Sequence, residues 1–175
     1  MPPLKQKLRK ELENAKRVAV LGIGSELRGD DTVGLLVLKH LRSRLKVSSP
    51  GKKQQQKMPA FKLFNGGTAP ENLTGEIRRF KPSHLIMIDA VDMGKKPGTI
   101  ALVDLKKTEN TAFLTHKLPV KLMLDYMAAE MSFTTIFIGI QPRSLEFEGK
   151  ISKPVIRAGR QTADWLLSTL QNIGG

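Results

Sequence analysis

The sequence predicts an α/β fold, a three-layer α/β/α sandwich around a mostly parallel, mixed five-stranded sheet. Short apolar runs alternate with amphipathic stretches in the order β-α-β-α-β-β-α-β-α, the pattern of strands joined by crossover helices. The link between the run ending at Asp89 and the run starting at Thr99 is too short for a right-handed helical crossover, so at least one strand pairs antiparallel. A length of 175 residues with 40% hydrophobic content suits one domain, residues 1–175, with a core of its own.

Each element has a local cause. Leu4, Leu8 and Leu12 share one face of a basic helix over about residues 3–15. Val18-Ala19-Val20-Leu21 is a strand that feeds a glycine-rich turn. A helix opened by Asp30-Asp31 carries Val33, Leu35, Leu36 and Leu38 as its apolar stripe and runs to about Ser43. Over about 46–60 periodicity is lost in a polar, basic insert.

Phe61-Lys62-Leu63-Phe64 is a strand closed by Gly66-Gly67. Thr68 and Glu71 have capping-box spacing, with Pro70 in the first turn of a helix that continues through Glu76–Phe80. Leu85-Ile86-Met87-Ile88 is a continuous apolar run, as for a strand covered on both faces, and ends on Asp89. Thr99–Val103 is a strand after the turn Lys96-Pro97-Gly98, and an irregular stretch carrying His116 follows. Pro119 to about Met131 is a helix, Ile136-Phe137-Ile138 a strand and Gln141–Leu145 a loop. A last helix, with Pro154 in its first turn, packs Val155, Ile156, Ala163, Trp165, Leu166 and Leu170 on the sheet.

Composition narrows the function classes. There is no cysteine, hence no disulfide, zinc knuckle or thiol nucleophile. No apolar stretch is long enough to span a bilayer and the first residues lack a signal-peptide core, so a cytoplasmic protein without membrane insertion is expected. The formal charge of +13 is spread over small basic groups without interleaved aromatics, which make up only 5% of the chain. Nucleic acid is therefore not expected as the partner, and the charge reads as a solvated or steering surface.

The stretch Leu21 to Gly34 anchors the functional reading. Glycine-rich strand-to-helix loops usually cradle phosphate. Here Leu27 interrupts the dinucleotide spacing, and Asp30-Asp31 stand where a phosphate loop has Lys-Ser/Thr. Two carboxylates favour a cation, although an Asp at a helix start also serves as a plain N-cap. Asp89 ends a buried strand, and ligands in open α/β sheets collect beyond the carboxyl ends of strands. His116 lies in the irregular stretch, whereas His40 and His84 have ordinary structural readings. Asp31, Asp89 and His116 thus form the candidate site. Two carboxylates and one imidazole suit a divalent transition metal such as nickel or zinc, or equally an acid/base group without metal. The chain has no His-Glu-x-x-His and no Gly-x-Ser-x-Gly, which leaves out ordinary zinc proteases and serine hydrolases.

Five stretches in collinear order resemble the maturation endopeptidases of nickel-iron hydrogenases: Gly22–Asp31, Gly66–Asn72, Ile88–Gly94, Thr115-His116 and Gly139–Pro142. The wording of Ala69–Asn72 and Asp92-Met93-Gly94 is similar to the HycI branch. The resemblance implies a phosphorylase/hydrolase-like α/β/α fold, and a peptidase, aspartic or metal-dependent, that removes a C-terminal extension from the large-subunit precursor after nickel insertion. The substrate's nickel would be the recognition signal, contacted by Asp31, Asp89 and His116. The free enzyme, expected as a monomer, would hold a divalent metal only weakly. Ser25, Thr32 and Asn65 depart from the family's usual Asn, Gly and Asp. The alternatives are a same-fold peptidase acting on another precursor and a non-enzymatic basic module that binds acidic protein or nucleic acid.

Overall fold

The computed structural model of the chain describes residues 3–47, 59–104 and 111–173. Strands β1 (Arg17–Ile23), β2 (Ala60–Gly67), β3 (His84–Ala90), β4 (Ile100–Leu102) and β5 (Thr134–Ile140) form one sheet in the order β2-β1-β3-β5-β4. Neighbours pair parallel except β4, which runs antiparallel to β5 with Ala101 opposite Gly139. The expected antiparallel pair is therefore at one edge, where the hop from β3 needs no crossover helix. Helices α1 (Pro3–Glu11), α2 (Val33–Val47), α3 (Thr74–Phe80), α4 (Thr111–Glu130) and α5 (Lys153–Gln171) complete the three layers.

Side-chain alternation along the central strands divides the core in two. Val18 and Val20 of β1, Ile86 and Ile88 of β3 and Ile136 and Ile138 of β5 face one way. There they meet Leu8, Val37, Leu41, Val155, Ala158 and Leu166 of α1, α2 and α5. Ala19, Leu21, Leu85, Met87 and Phe137 face the other way, against Ile77 of α3 and Val120, Met123 and Met127 of α4. Every residue of β3 is buried, so from Leu85 its sequence runs apolar without a polar alternate until Asp89. Each fully buried aliphatic side chain contributes about 1.5–3 kcal/mol, and this two-sided burial holds the strand ends in place.

Several boundaries differ from expectation. Helix α1 stops at Glu11, and a turn with Ala15 N–H donating to Leu12 O leads into β1. Asp30 and Asp31 lie in a 3₁₀ turn, Gly29–Thr32, and the α-helix itself begins at Val33. The capping box at Thr68 does not form. Pro70–Leu73 is another 3₁₀ turn without a side-chain cap, and α3 starts only at Thr74, whose hydroxyl donates back to Glu71 O. Helix α4 begins at Thr111, so its backbone includes position 116 where an irregular stretch was expected. Pro119, read as a helix start, is an interior position, tolerated at the cost of one backbone hydrogen bond. The insert expected over about 46–60 falls mostly outside the described residues.

Candidate active site

The order β2-β1-β3 creates a switch point. The chain leaves β1 through α2 on one face of the sheet to reach β2, then returns through α3 on the other face to β3. The crevice beyond the carboxyl ends of β1 and β3 thus lies where successive connections diverge, the place where α/β sheets bind ligands. Asp31 follows β1 and Asp89 is the penultimate residue of β3. Gly22 pairs with Ile88, so the two segments leave adjacent strands side by side.

Close backbone packing makes this edge possible. A methyl group on Gly34, in the first turn of α2, would sit 2.3 Å from Ile23 O and 2.4 Å from Ile88 O. Only glycine lets α2 start directly over the ends of both strands. Gly24 turns the chain with φ 135°, and a methyl group there would lie 1.7 Å from Asp31 O. The glycines of this loop therefore serve close approach between strand, turn and helix, which explains why they do not follow a phosphate-binding spacing.

The two neighbouring aspartates have different work. Asp30 is 1% exposed and its carboxylate accepts four hydrogen bonds. Arg143 N–H donates at 2.7 Å, Ser144 N–H at 3.3 Å, Ser152 N–H at 2.6 Å and Ser152 Oγ–H at 2.9 Å. Ser152 is the N-cap residue of α5, so this buried charge also sits at a helix N-terminus. Asp30 fastens the β1–α2 turn to the β5–α5 loop. Asp31, half-buried, accepts one such bond, from Ser25 N–H at 2.9 Å. Ser25 Oγ in turn accepts from Leu27 N–H, and Asn65 Oδ1 accepts from Gly67 N–H. The residues that replace the family's usual Asn and Asp are thus engaged in loop bonds. Asp89 is fully buried, and strand alternation assigns it to the sheet face of Leu85 and Met87, the face covered by α3 and α4.

Gln141 organises the loop after β3. Its Oε1 accepts from Met93 N–H at 2.7 Å and Lys95 N–H at 3.1 Å, and its Nε2 donates to Asp92 Oδ1 and Pro142 O. The bond from Gln141 and a second from Gly94 N–H hold the Asp92 carboxyl below the usual range. The sequence showed Gln141 as part of a loop and of the resembling stretch Gly139–Pro142, but nothing in it paired that glutamine with the Asp92–Lys95 segment nearly fifty residues upstream.

Of the three expected site residues, Asp31 and Asp89 occupy the same edge of the sheet. The backbone of His116 belongs to α4, while its side chain lies outside the described residues. Among the described residues no three His, Cys, Asp or Glu side chains gather into a metal-holding group. His84 sits at the opposite end of β3, beside Ser83 Oγ, and burial pushes its pKa down. Burial, then Arg160, lowers that of His40 on α2. A basic cleft of about 280 Å³, lined by Arg17, Lys62, Glu76, Arg79 and Phe80, also opens towards the amino ends of the strands, away from the aspartates.

The family model for the HycI hydrogenase maturation protease matches residues 45–169, more than half of the chain. The chain belongs to the HycI hydrogenase maturation protease family. A Methanocaldococcus jannaschii protein provisionally named a hydrogenase maturation protease is 30% identical over 97% of this chain and 98% of its own. The hydrogenase 3 maturation protease of Escherichia coli is 29% identical over 78% of this chain and 80% of its own. The crystal structure of HycI from Thermococcus kodakarensis superposes with a TM-score of 0.80 at 28% identity, covering 95% of this chain and 99% of that one. Family membership makes this HycI-type chain a peptidase and sets aside the non-enzymatic basic module. No described helix is long and apolar enough to cross a membrane.

Proposed function

We propose that this protease cuts a C-terminal extension from the nickel-loaded large-subunit precursor of a nickel-iron hydrogenase, at the edge carrying Asp31 and Asp89. The observation that carries the reading is the convergence of the two carboxylate-bearing segments on the β1/β3 switch point in a chain of this family.

His116 is the proposed third member. Helix α4 leads into β5 at Thr134 and so runs antiparallel to the strands, which puts its first turns towards the edge of the two aspartates.

In this mechanism the precursor arrives with nickel as part of the substrate. Asp31, Asp89 and His116 complete its coordination and clamp the adjacent peptide. Carboxylate and imidazole donors suit that ion. A water oxygen attacks the scissile carbonyl carbon, its proton passes to a base, and the C–N bond breaks with the amine taking up a proton. The base is the Asp31 or Asp89 carboxylate, and the substrate's cation would polarise the carbonyl or the attacking water. Without substrate thiolates the half-site binds a free divalent ion weakly.

The test is the mass of a purified precursor, with and without nickel, after incubation with the protein. Loss of a C-terminal peptide from the loaded form alone is expected. Equal cleavage of both forms would remove nickel from recognition, and cleavage of neither would remove this substrate.

A further inference from the structure

Three of the five large hydrophobic side chains that stand exposed among the described residues fall on two loops beside Asp31. Leu27 is 60% exposed, Phe147 68% and Leu145 36%. The loops are knitted together. Glu148 N–H donates to Leu27 O at 2.7 Å, Arg28 Nε–H to Leu145 O at 3.2 Å and Asp30 N–H to Ser144 O at 3.1 Å. The buried Asp30 carboxylate fastens the base of the same assembly. Glu148 has φ 58°, a left-handed conformation uncommon for a residue with a side chain, and its N–H bond to Leu27 O holds it there. An ordered support that displays Phe147 to solvent costs stability without any return in the free protein, and such strain and exposed apolar area concentrate at binding surfaces.

We propose that Leu27, Leu145 and Phe147 form a ledge that seats an apolar segment of the precursor polypeptide while its scissile bond reaches Asp31. This rests on the substrate reading above. The occupant follows from continuity with the site: Leu27 N–H bonds to Ser25 Oγ, Ser25 N–H bonds to the Asp31 carboxylate, and Asp31 N–H bonds to Arg28 O. The ledge is thus joined to that carboxylate through directly bonded neighbours, and the chain a protease holds there is its substrate. Charge supports an apolar contact. In a protein of net charge +13, residues 25–31 and 143–150 carry Glu26, Asp30, Asp31, Glu146 and Glu148 against Arg28, Arg143 and Lys150. The excess positive charge therefore lies elsewhere, and the ledge recognises by apolar fit.

The experiment compares Phe147→Ser and Leu27→Ser with the parent, using the purified nickel-loaded precursor and full-length protein. KM is expected to rise about fivefold or more with kcat kept within about twofold, as for loss of a buried apolar anchor. The KM ratio should be the same at low and high salt, because apolar contact is not screened. Phe147 is exposed and its replacement should leave the thermal midpoint unchanged, so it decides the matter if Leu27→Ser loosens the loop. A photo-crosslinking residue at position 147 should link to the precursor. Processing with unchanged KM, or a fall in kcat alone, overturns the ledge and leaves the substrate reading intact. Failure of the parent to process the precursor overturns both.

Discussion

Replacing Asp30 should strongly destabilise the protein, and replacing its neighbour Asp31 should not. Asp30→Ala removes the acceptor for three backbone N–H groups and one hydroxyl, all within 2.6–3.3 Å of a carboxylate that is 1% exposed. Hydrogen bonds to a charged group are worth about 1.5–3 kcal/mol each, but water entering the space left by the side chain recovers part of this. A net loss of about 3–5 kcal/mol is expected, a large share of the roughly 5–15 kcal/mol that holds a domain together. At about 2–4 °C per kcal/mol for a chain of this size, the midpoint should fall by roughly 6–20 °C. Asp31 accepts a single bond from Ser25 N–H, so Asp31→Ala should cost about 1 kcal/mol or less. Urea and thermal unfolding followed by circular dichroism measure both. An Asp30→Ala loss within about 1 kcal/mol of the parent, or equal losses at the two positions, would refute the division of labour between them.

Gly24→Ala should be at least as damaging, because φ 135° and the Asp31 carbonyl both oppose a side chain; a loss of about 3 kcal/mol or more is expected in the same unfolding assay. Gln141→Ala should free the loop at Met93 and Lys95, with faster amide exchange of those two N–H groups and a stability loss of about 1–2 kcal/mol by denaturant titration. Burial lowers the folded-state pKa of His84 and His40 below 6.5, so the unfolded chain binds protons first as pH falls. Stability should therefore decline as pH drops below about 6.5 and level off under the folded-state values, and His84→Gln should flatten part of that slope in pH-dependent melting.

Much of the architecture was legible because two-sided burial writes itself into sequence. Leu85–Ile88 is apolar throughout since helices cover both faces of β3, and Asp89 stands out where that burial meets the crevice. The antiparallel β4 followed from chain length alone, because the Asp89–Thr99 link cannot hold a crossover helix. The role of Asp30 was not legible. Its partners lie more than a hundred residues away, and a paired Asp-Asp at a helix start carries no mark of which one turns inward. The start of α4 was hidden by Pro119, which usually begins or breaks a helix and here does neither. The capping box at Thr68 failed because Pro70 opens a separate 3₁₀ turn before α3.

The most direct test of the proposed site is precursor processing by Asp31→Asn, Asp89→Asn and His116→Gln, each purified and checked for an unchanged thermal midpoint. Loss of processing by about a hundredfold or more in all three is expected if they act on one substrate centre. Near-parental processing by any folded member of the set would contradict its place there.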